Sequence, residues 1–147
     1  MYLTGTYKHS LDAKFRITLP SVFRKQLGDV ICLVPLNNAV YGFTPESHRA
    51  WIQSFFPQGV NPRDQRAARL RTALLSRTLT LDLDNAGRLA LGKLDPKQLE
   101  AVNIKKDVAV VGVDDHFEIW DAATFDAQSA MFDANLDDLM YGQNECE

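Results

Sequence analysis

The sequence predicts a mainly β fold with helices, an α+β architecture built from two pseudo-symmetric copies of one β-α-β unit. Three observations carry that expectation. Asp12-Ala13-Lys14-Phe15-Arg16-Ile17-Thr18-Leu19-Pro20 lines up with Asp84-Asn85-Ala86-Gly87-Arg88-Leu89-Ala90-Leu91-Gly92 at an offset of 72, and self-similarity at a fixed spacing marks a repeated supersecondary unit. Leu27 and Leu99 keep the same offset, and after a five-residue shift Val40-Tyr41-Gly42-Phe43 matches Phe117-Glu118-Ile119-Trp120. Within each copy the apolar pattern then changes in the same order, from short strands to a helix start and back to strands. Finally, 147 residues with 46% hydrophobic and 24% charged side chains can bury one substantial core.

In the first copy, Tyr2–Lys8 and Arg16–Leu19 read as strands, because β-branched and aromatic residues flank a polar break at Asp12–Arg16. Pro20 and Ser21 open a short helix, and Phe23 and Leu27, four apart, give it a buried side. Val30–Val34 and Val40–Phe43 are apolar enough for core strands, joined by Pro35-Leu36-Asn37-Asn38. Thr44-Pro45-Glu46 starts a second helix with a capping hydroxyl, a proline at the first helical position and an acid in the first turn. Trp51, Ile52, Phe55 and Phe56 are expected to bury one face of it. Asn61-Pro62-Arg63-Asp64 reads as a further helix start, leading through about Leu75, with Ala67, Leu70 and Leu74 as a narrow apolar stripe among Arg63, Arg66, Arg69 and Arg71.

The second copy repeats the order, with strands near Thr78–Leu83, Arg88–Leu91, Val108–Val113 and Phe117–Trp120 and a tight turn at Asp114-Asp115-His116. Asp95-Pro96-Lys97-Gln98 can cap a helix as a capping box. Asp121 caps the last helix, which carries Phe125, Met131 and Phe132 before an acidic stretch. The expected organisation is a first repeat over 1–56, a connecting basic helix over 57–76, a second repeat over 77–132, and an acidic, partly disordered tail over 133–147.

The net charge of -3 conceals a split. Residues 1–80 hold eleven Lys/Arg against four Asp/Glu, giving +7, whereas residues 81–147 hold five against fifteen, giving -10. One reading is that the basic half meets an anion; the other is that the halves attract each other within or between subunits. The first ten residues carry Lys8 and His9 but no apolar run of signal-peptide length, and no stretch approaches the roughly 18 apolar residues of a membrane span. A soluble, cytoplasmic setting without membrane contact is the expectation. Cys32 and Cys146 are expected to be reduced thiols rather than a disulfide framework.

Signs of catalysis are sparse. His9, His48 and His116 show no zinc-ligand spacing, neither cysteine has a nearby ligand partner, and the common nucleotide-binding and acyl-transfer motifs do not occur. Asp114, Asp115 and Glu118 could hold magnesium, but an aspartate-rich turn is more often just a turn. No enzyme, cofactor or metal is expected.

A duplicated Asp-x-x-x-Arg in strand-turn-strand context, followed by apolar-x-apolar, is far more specific than either half. The chain resembles the MraZ family of bacterial transcriptional regulators, linked to the division and cell-wall gene cluster and related in fold to AbrB and SpoVT. The resemblance spans nearly the whole chain, through Gly5-Thr6, Asp12–Arg16, Leu19-Pro20, Asp84–Arg88 and Phe117-Glu118-Ile119-Trp120-Asp121. It implies a double-split β-barrel, a ring-like homo-oligomer, commonly of eight subunits, and repression through double-stranded DNA at direct repeats in the operon's own promoter, in a cytoplasmic, nucleoid-associated protein. The alternative is an AbrB-type antitoxin or protein-interaction module.

For the site, Arg16 can donate a fork of hydrogen bonds to phosphate or guanine. Asp12 can hold its guanidinium or the turn amides, Lys14 can contact phosphate, Phe15 can offer its ring to sugar or base edges, and Lys8 adds charge nearby. The second pair, Asp84 and Arg88, either contacts DNA or is a structural brace, and the neighbouring Asp82 favours the brace. The family carries glycine before the motif arginine, as at Gly87, where this chain has Phe15 in the first copy. The first turn therefore either differs or holds a bulky residue at positive φ.

Overall fold

The computed structural model describes residues 1–142; Cys146 and the end of the acidic stretch lie outside the described residues. The first copy contributes β1 (Thr6–Ser10), β2 (Arg16–Thr18), α1 (Ser21–Leu27), β3 (Val30–Pro35), β4 (Val40–Phe43) and α2 (Pro45–Ser54). Helix α3 (Gln65–Ser76) follows, and the second copy contributes β5 (Leu79–Asp82), β6 (Arg88–Ala90), α4 (Pro96–Ala101), β7 (Asp107–Val113), β8 (His116–Asp121) and α5 (Ala122–Ala134), with α6 (Leu136–Tyr141) after it. This is the α+β architecture of two related repeats that the sequence predicts.

The repeats do not sit side by side. The large sheet runs β1-β7-β8-β4-β3-β5, and β2 pairs with β6 in a separate ribbon. Each repeat thus lends its first strand to the other: β1 pairs with β7, Lys8 opposite Ala109, and β5 pairs with β3, Thr80 opposite Cys32. Exchanging the copies maps the sheet order onto itself, so a pseudo-two-fold relates them. It passes through Ile17 and Leu89 in the ribbon and through Tyr41 and Glu118 in the sheet, since both pairs are equivalent positions of the two copies facing each other.

Alternation along the strands sorts the side chains into two layers. Ile31, Leu33, Val40, Val108, Val110, Phe117 and Ile119 meet Ile17, Leu19, Phe23, Leu89 and Leu91 in the main core beneath the ribbon. The other sheet face packs Phe43 and Val34 against Trp51 of α2, and Ala109 and Trp120 against Phe125 of α5. Burying Ile17 and Leu89 completely stabilises the ribbon by about 1.5–3 kcal/mol each. Gly42 has no alternative, because a Cβ there would stand 2.1 Å from the Phe117 ring.

Several local expectations shift. Strand β1 begins at Thr6 rather than Tyr2, with Leu3 held separately by a bridge to Asp114. Helix α2 has its capping box, Thr44 with Ser47, but ends at Ser54; Phe55 becomes the C-cap and is 44% exposed instead of lying on the buried face. Helix α3 starts at Gln65 under an Asp64 cap, while Asn61 accepts from Arg63 N–H in a separate turn, and of its expected stripe Leu70 is exposed and Leu74 is buried. Strand β6 stops at Ala90, and Leu91–Lys93 forms one 3-10 turn. Asp95 caps α4 by accepting from Lys97 N–H, without the reciprocal bond from Gln98 that a capping box requires among the described residues. Asp121 caps α5 through Thr124 N–H. Within the acidic stretch, α5 runs to Ala134 and α6 covers Leu136–Tyr141 on either side of a turn at Asn135.

Candidate nucleic-acid interface

The two Asp-x-x-x-Arg turns form the same hydrogen-bonded loop. Asp12 Oδ1 accepts from Lys14 N–H and Arg16 N–H, both at 2.9 Å, and Oδ2 accepts from Arg16 Nε at 2.8 Å. Asp84 Oδ1 accepts from Ala86 N–H and Arg88 N–H at 2.9 Å, and Oδ2 from Arg88 Nε at 2.7 Å. Phe15 N–H donates to Asp12 O and Gly87 N–H to Asp84 O, each at 2.9 Å. The bond from the arginine's own backbone N–H holds each aspartate below the usual carboxylate range, and its side-chain bond adds to this. The carboxylates stay charged, so the arginines are held by charge-assisted bonds.

Phe15 tolerates the left-handed conformation, with φ 60° beside 76° at Gly87. The turn is therefore conserved in geometry between copies, at a cost of about 1–3 kcal/mol for a non-glycine residue. Phe15 offsets that cost by packing its half-buried ring against the main core. The ring thus lies partly against the core and partly exposed beside the turn.

Ribbon pairing brings the turns together. Arg16 lies opposite Ala90 and Thr18 opposite Arg88, so with Ile17 and Leu89 pointing into the core the arginines share the outer face as diagonal neighbours, roughly 7–8 Å apart along the backbone. Arg16 Nη1 is 3.9 Å from Asp84 Oδ2, which couples one turn to the other. Both arginines use Nε on their own aspartate, and among the described residues neither commits its Nη groups to a hydrogen bond.

The Arg88 side chain is 36% exposed, against 25% for Arg16, and each arginine makes an ion pair with its own aspartate. Lys14 is exposed at the tip of the first turn. Lys8 is elsewhere, since β1 carries it to α5, where it pairs with Asp126. Arg24, one of the basic residues near Arg16 in sequence, joins the site by reaching across to the second turn, which sequence proximity does not show. Its Nε donates to Leu19 O at 3.1 Å, and its side chain lies over Gly87, where a Cβ would stand 2.4 Å from Nη1. Gly87 was the available signal, because a glycine in a turn permits close approach as well as positive φ.

Two turns, four cations and two aspartates thus form one outward surface, and the comparisons identify the frame that carries it. The model of the family described as "MraZ protein, putative antitoxin-like" matches residues 2–69 and again 74–139. The chain belongs to the MraZ family. A Mycoplasma mycoides subsp. mycoides protein named Transcriptional regulator MraZ is 30% identical over 135 residues, spanning 91% of this chain and 98% of its own. Proteins of the same name from Ureaplasma parvum and Ureaplasma urealyticum are 32% and 34% identical over 142 residues, each covering 92% of both chains. These MraZ relatives are named as regulators, not as enzymes.

Consistent with that frame, Asp115 and Glu118 are spent on His116 rather than gathered for a metal. His116 Nδ1 lies 2.8 Å from Asp115 Oδ1, and Nε2 lies 2.9 Å from Glu118 Oε2. Burial works against a charged His116, but the bonds to Glu118 and Asp115 outweigh it and raise its pKa. The ring stacks on Tyr41 with centroids 4.8 Å apart, so the cluster braces the pseudo-two-fold between β4 and β8. Among the described residues no group of three or more His, Cys, Asp or Glu side chains is arranged to hold a metal ion, and no helix is long and apolar enough to cross a membrane.

Proposed function

We propose that this chain is a sequence-specific DNA-binding transcriptional regulator, a repressor of the division and cell-wall gene cluster that binds direct repeats in its own promoter through a ring of copies, commonly eight. The observation that carries the reading is the paired turn. Two arginines, each oriented by an aspartate through Nε, turn their Nη groups to one rigid outer face, where among the described residues they make no hydrogen bond and Arg16 Nη1 has a 3.9 Å contact with Asp84. That is the arrangement in which a guanidinium reads O6 and N7 of guanine or clamps a phosphate. Arg16 and Arg88 act as the reading pair, Asp12 and Asp84 orient them, and Lys14 and Arg24 neutralise phosphate. The names of the relatives support the same reading, and it places the protein in the cytoplasm at the nucleoid.

A single surface of four cations and two acids binds weakly, and linking several copies across adjacent repeats raises avidity without new contacts. The test is a mobility shift with DNA upstream of the chain's own gene, varying repeat number and salt. Affinity that climbs with repeat number and falls steeply with salt is expected, because each neutralised phosphate releases a counterion. Equal affinity for one and several repeats would overturn the ring, and indifference to scrambling the repeats would overturn specific reading.

A further inference from the structure

The C-terminal helical arm leaves its large apolar side chains exposed. Met131, Leu136, Leu139 and Met140 are 50–62% exposed and Tyr141 is 71% exposed, and α6 buries no residue. Together with Phe132 these make six large apolar side chains held in helix without a covering partner among the described residues. The acids Asp133, Asp137 and Asp138 stand among them, and no Lys or Arg occurs from 122 to 142. Such a surface is costly to leave in water.

The complement lies on the same chain but far along the fold. Helices α2 and α3 enclose a groove of about 470 Å³ whose floor includes Cys32, Ile52 and Leu75 and whose rim carries Arg49 and Arg71. Both arginines are exposed and Leu75 is 46% exposed. Helix α3 contains three arginines and no acid, the reverse of the arm. The arm's exposure throughout residues 131–142 shows that it does not fill this groove in its own subunit.

We infer that the α2–α3 groove is the docking site for the C-terminal arm of a second copy, with Leu136, Leu139 and Met140 on the apolar floor and Asp137 and Asp138 against Arg49 and Arg71. The contact is heterologous, groove to arm, so an open chain of copies keeps one free groove at one end and one free arm at the other until a ring closes. The inference rests on the homo-oligomer reading above, and adds which surfaces make it. It also gives the charge split of the sequence a role: the basic half of one subunit meets the acidic end of the next.

Charge reversal tests it, with mass measured by light scattering on the size-exclusion eluate. Arg49→Glu with Arg71→Glu, and separately Asp137→Lys with Asp138→Lys, should each reduce the wild-type mass to the 16.5 kDa monomer. Mixing the two variants should restore the wild-type mass, because both contacts in an alternating ring are again complementary, an outcome that misfolded variants cannot give. Wild-type mass in either variant, or no recovery on mixing, overturns the groove-arm contact while the oligomer stands. A monomeric wild type at tens of micromolar overturns the oligomer, and this contact with it.

Discussion

The two turns are the instructive comparison, because one hydrogen-bond skeleton is decorated in two ways. The first turn puts a cation at its tip directly, through Lys14, and fills the left-handed position with Phe15, whose ring packs on the core. The second has Ala86 at the tip and glycine at the left-handed position, and Arg24 arrives from α1 across that gap. Both copies therefore end with an aspartate-held arginine and an accompanying cation. Pseudo-symmetry is kept in the backbone and in the charge, and abandoned in how the charge is supplied.

The largest expected effect tests whether the copies act together. Arg16→Ala and Arg88→Ala should each weaken promoter binding by about 1–3 kcal/mol per site, multiplied where several copies bind, with melting temperatures close to wild type because both side chains are a quarter or more exposed. Anisotropy titration beside thermal melting decides it. Normal DNA affinity with early melting in Arg88→Ala would break the comparison, making the second turn only a brace.

That expectation differs from the one sequence neighbours suggest, and the reason is physical. Asp82 and Asp84 surround Arg88 along the chain, but Asp84 is consumed by the turn, and Asp82 belongs to β5, paired with Val30 at the edge of the other sheet. Arg88's true neighbour is Arg16, which lies 72 positions away in sequence and one diagonal across the ribbon. Lys8 shows the converse, near Arg16 in sequence and delivered by β1 to Asp126. Repeats, caps and apolar alternation are local and could be read from residues such as Thr44, Asp121, Phe23 and Leu27. Strand exchange between copies is non-local, so the composition of the site, though not its two motifs, stayed hidden.

A smaller effect sharpens the role of Gly87. In Gly87→Ala the new Cβ would meet Arg24 Nη1 at 2.4 Å and Cδ at 2.5 Å, at φ 76°. The flexible arginine can move aside, giving up its bond to Leu19 O, at about 1 kcal/mol, while the left-handed alanine costs about another 1 kcal/mol. A melting temperature lower by roughly 4–8 °C is expected, with a salt dependence of DNA binding shallower by about one counterion as Arg24 leaves. An unchanged salt slope would show that Arg24 meets no phosphate and only packs on the turn.

The smallest effect concerns Phe15, where two terms oppose each other. Truncating a fully buried phenylalanine costs about 3–5 kcal/mol; Phe15 is half-buried, so roughly half of that is lost with the ring. Relief of a strained φ of 60° returns about 1 kcal/mol or more, but only to glycine. Phe15→Gly should therefore be tolerated, with a net loss near 1 kcal/mol, and Phe15→Ala should lose about 2 kcal/mol because it forfeits the ring and keeps the strain. In an ordinary strand or helix the order is reversed, since glycine is the costlier residue by about 0.5–1 kcal/mol. Chemical denaturation of the two variants reads the sign directly. If Phe15→Ala proves the more stable, the first turn does not hold residue 15 left-handed in solution, and the shared skeleton on which the comparison of the turns depends is lost.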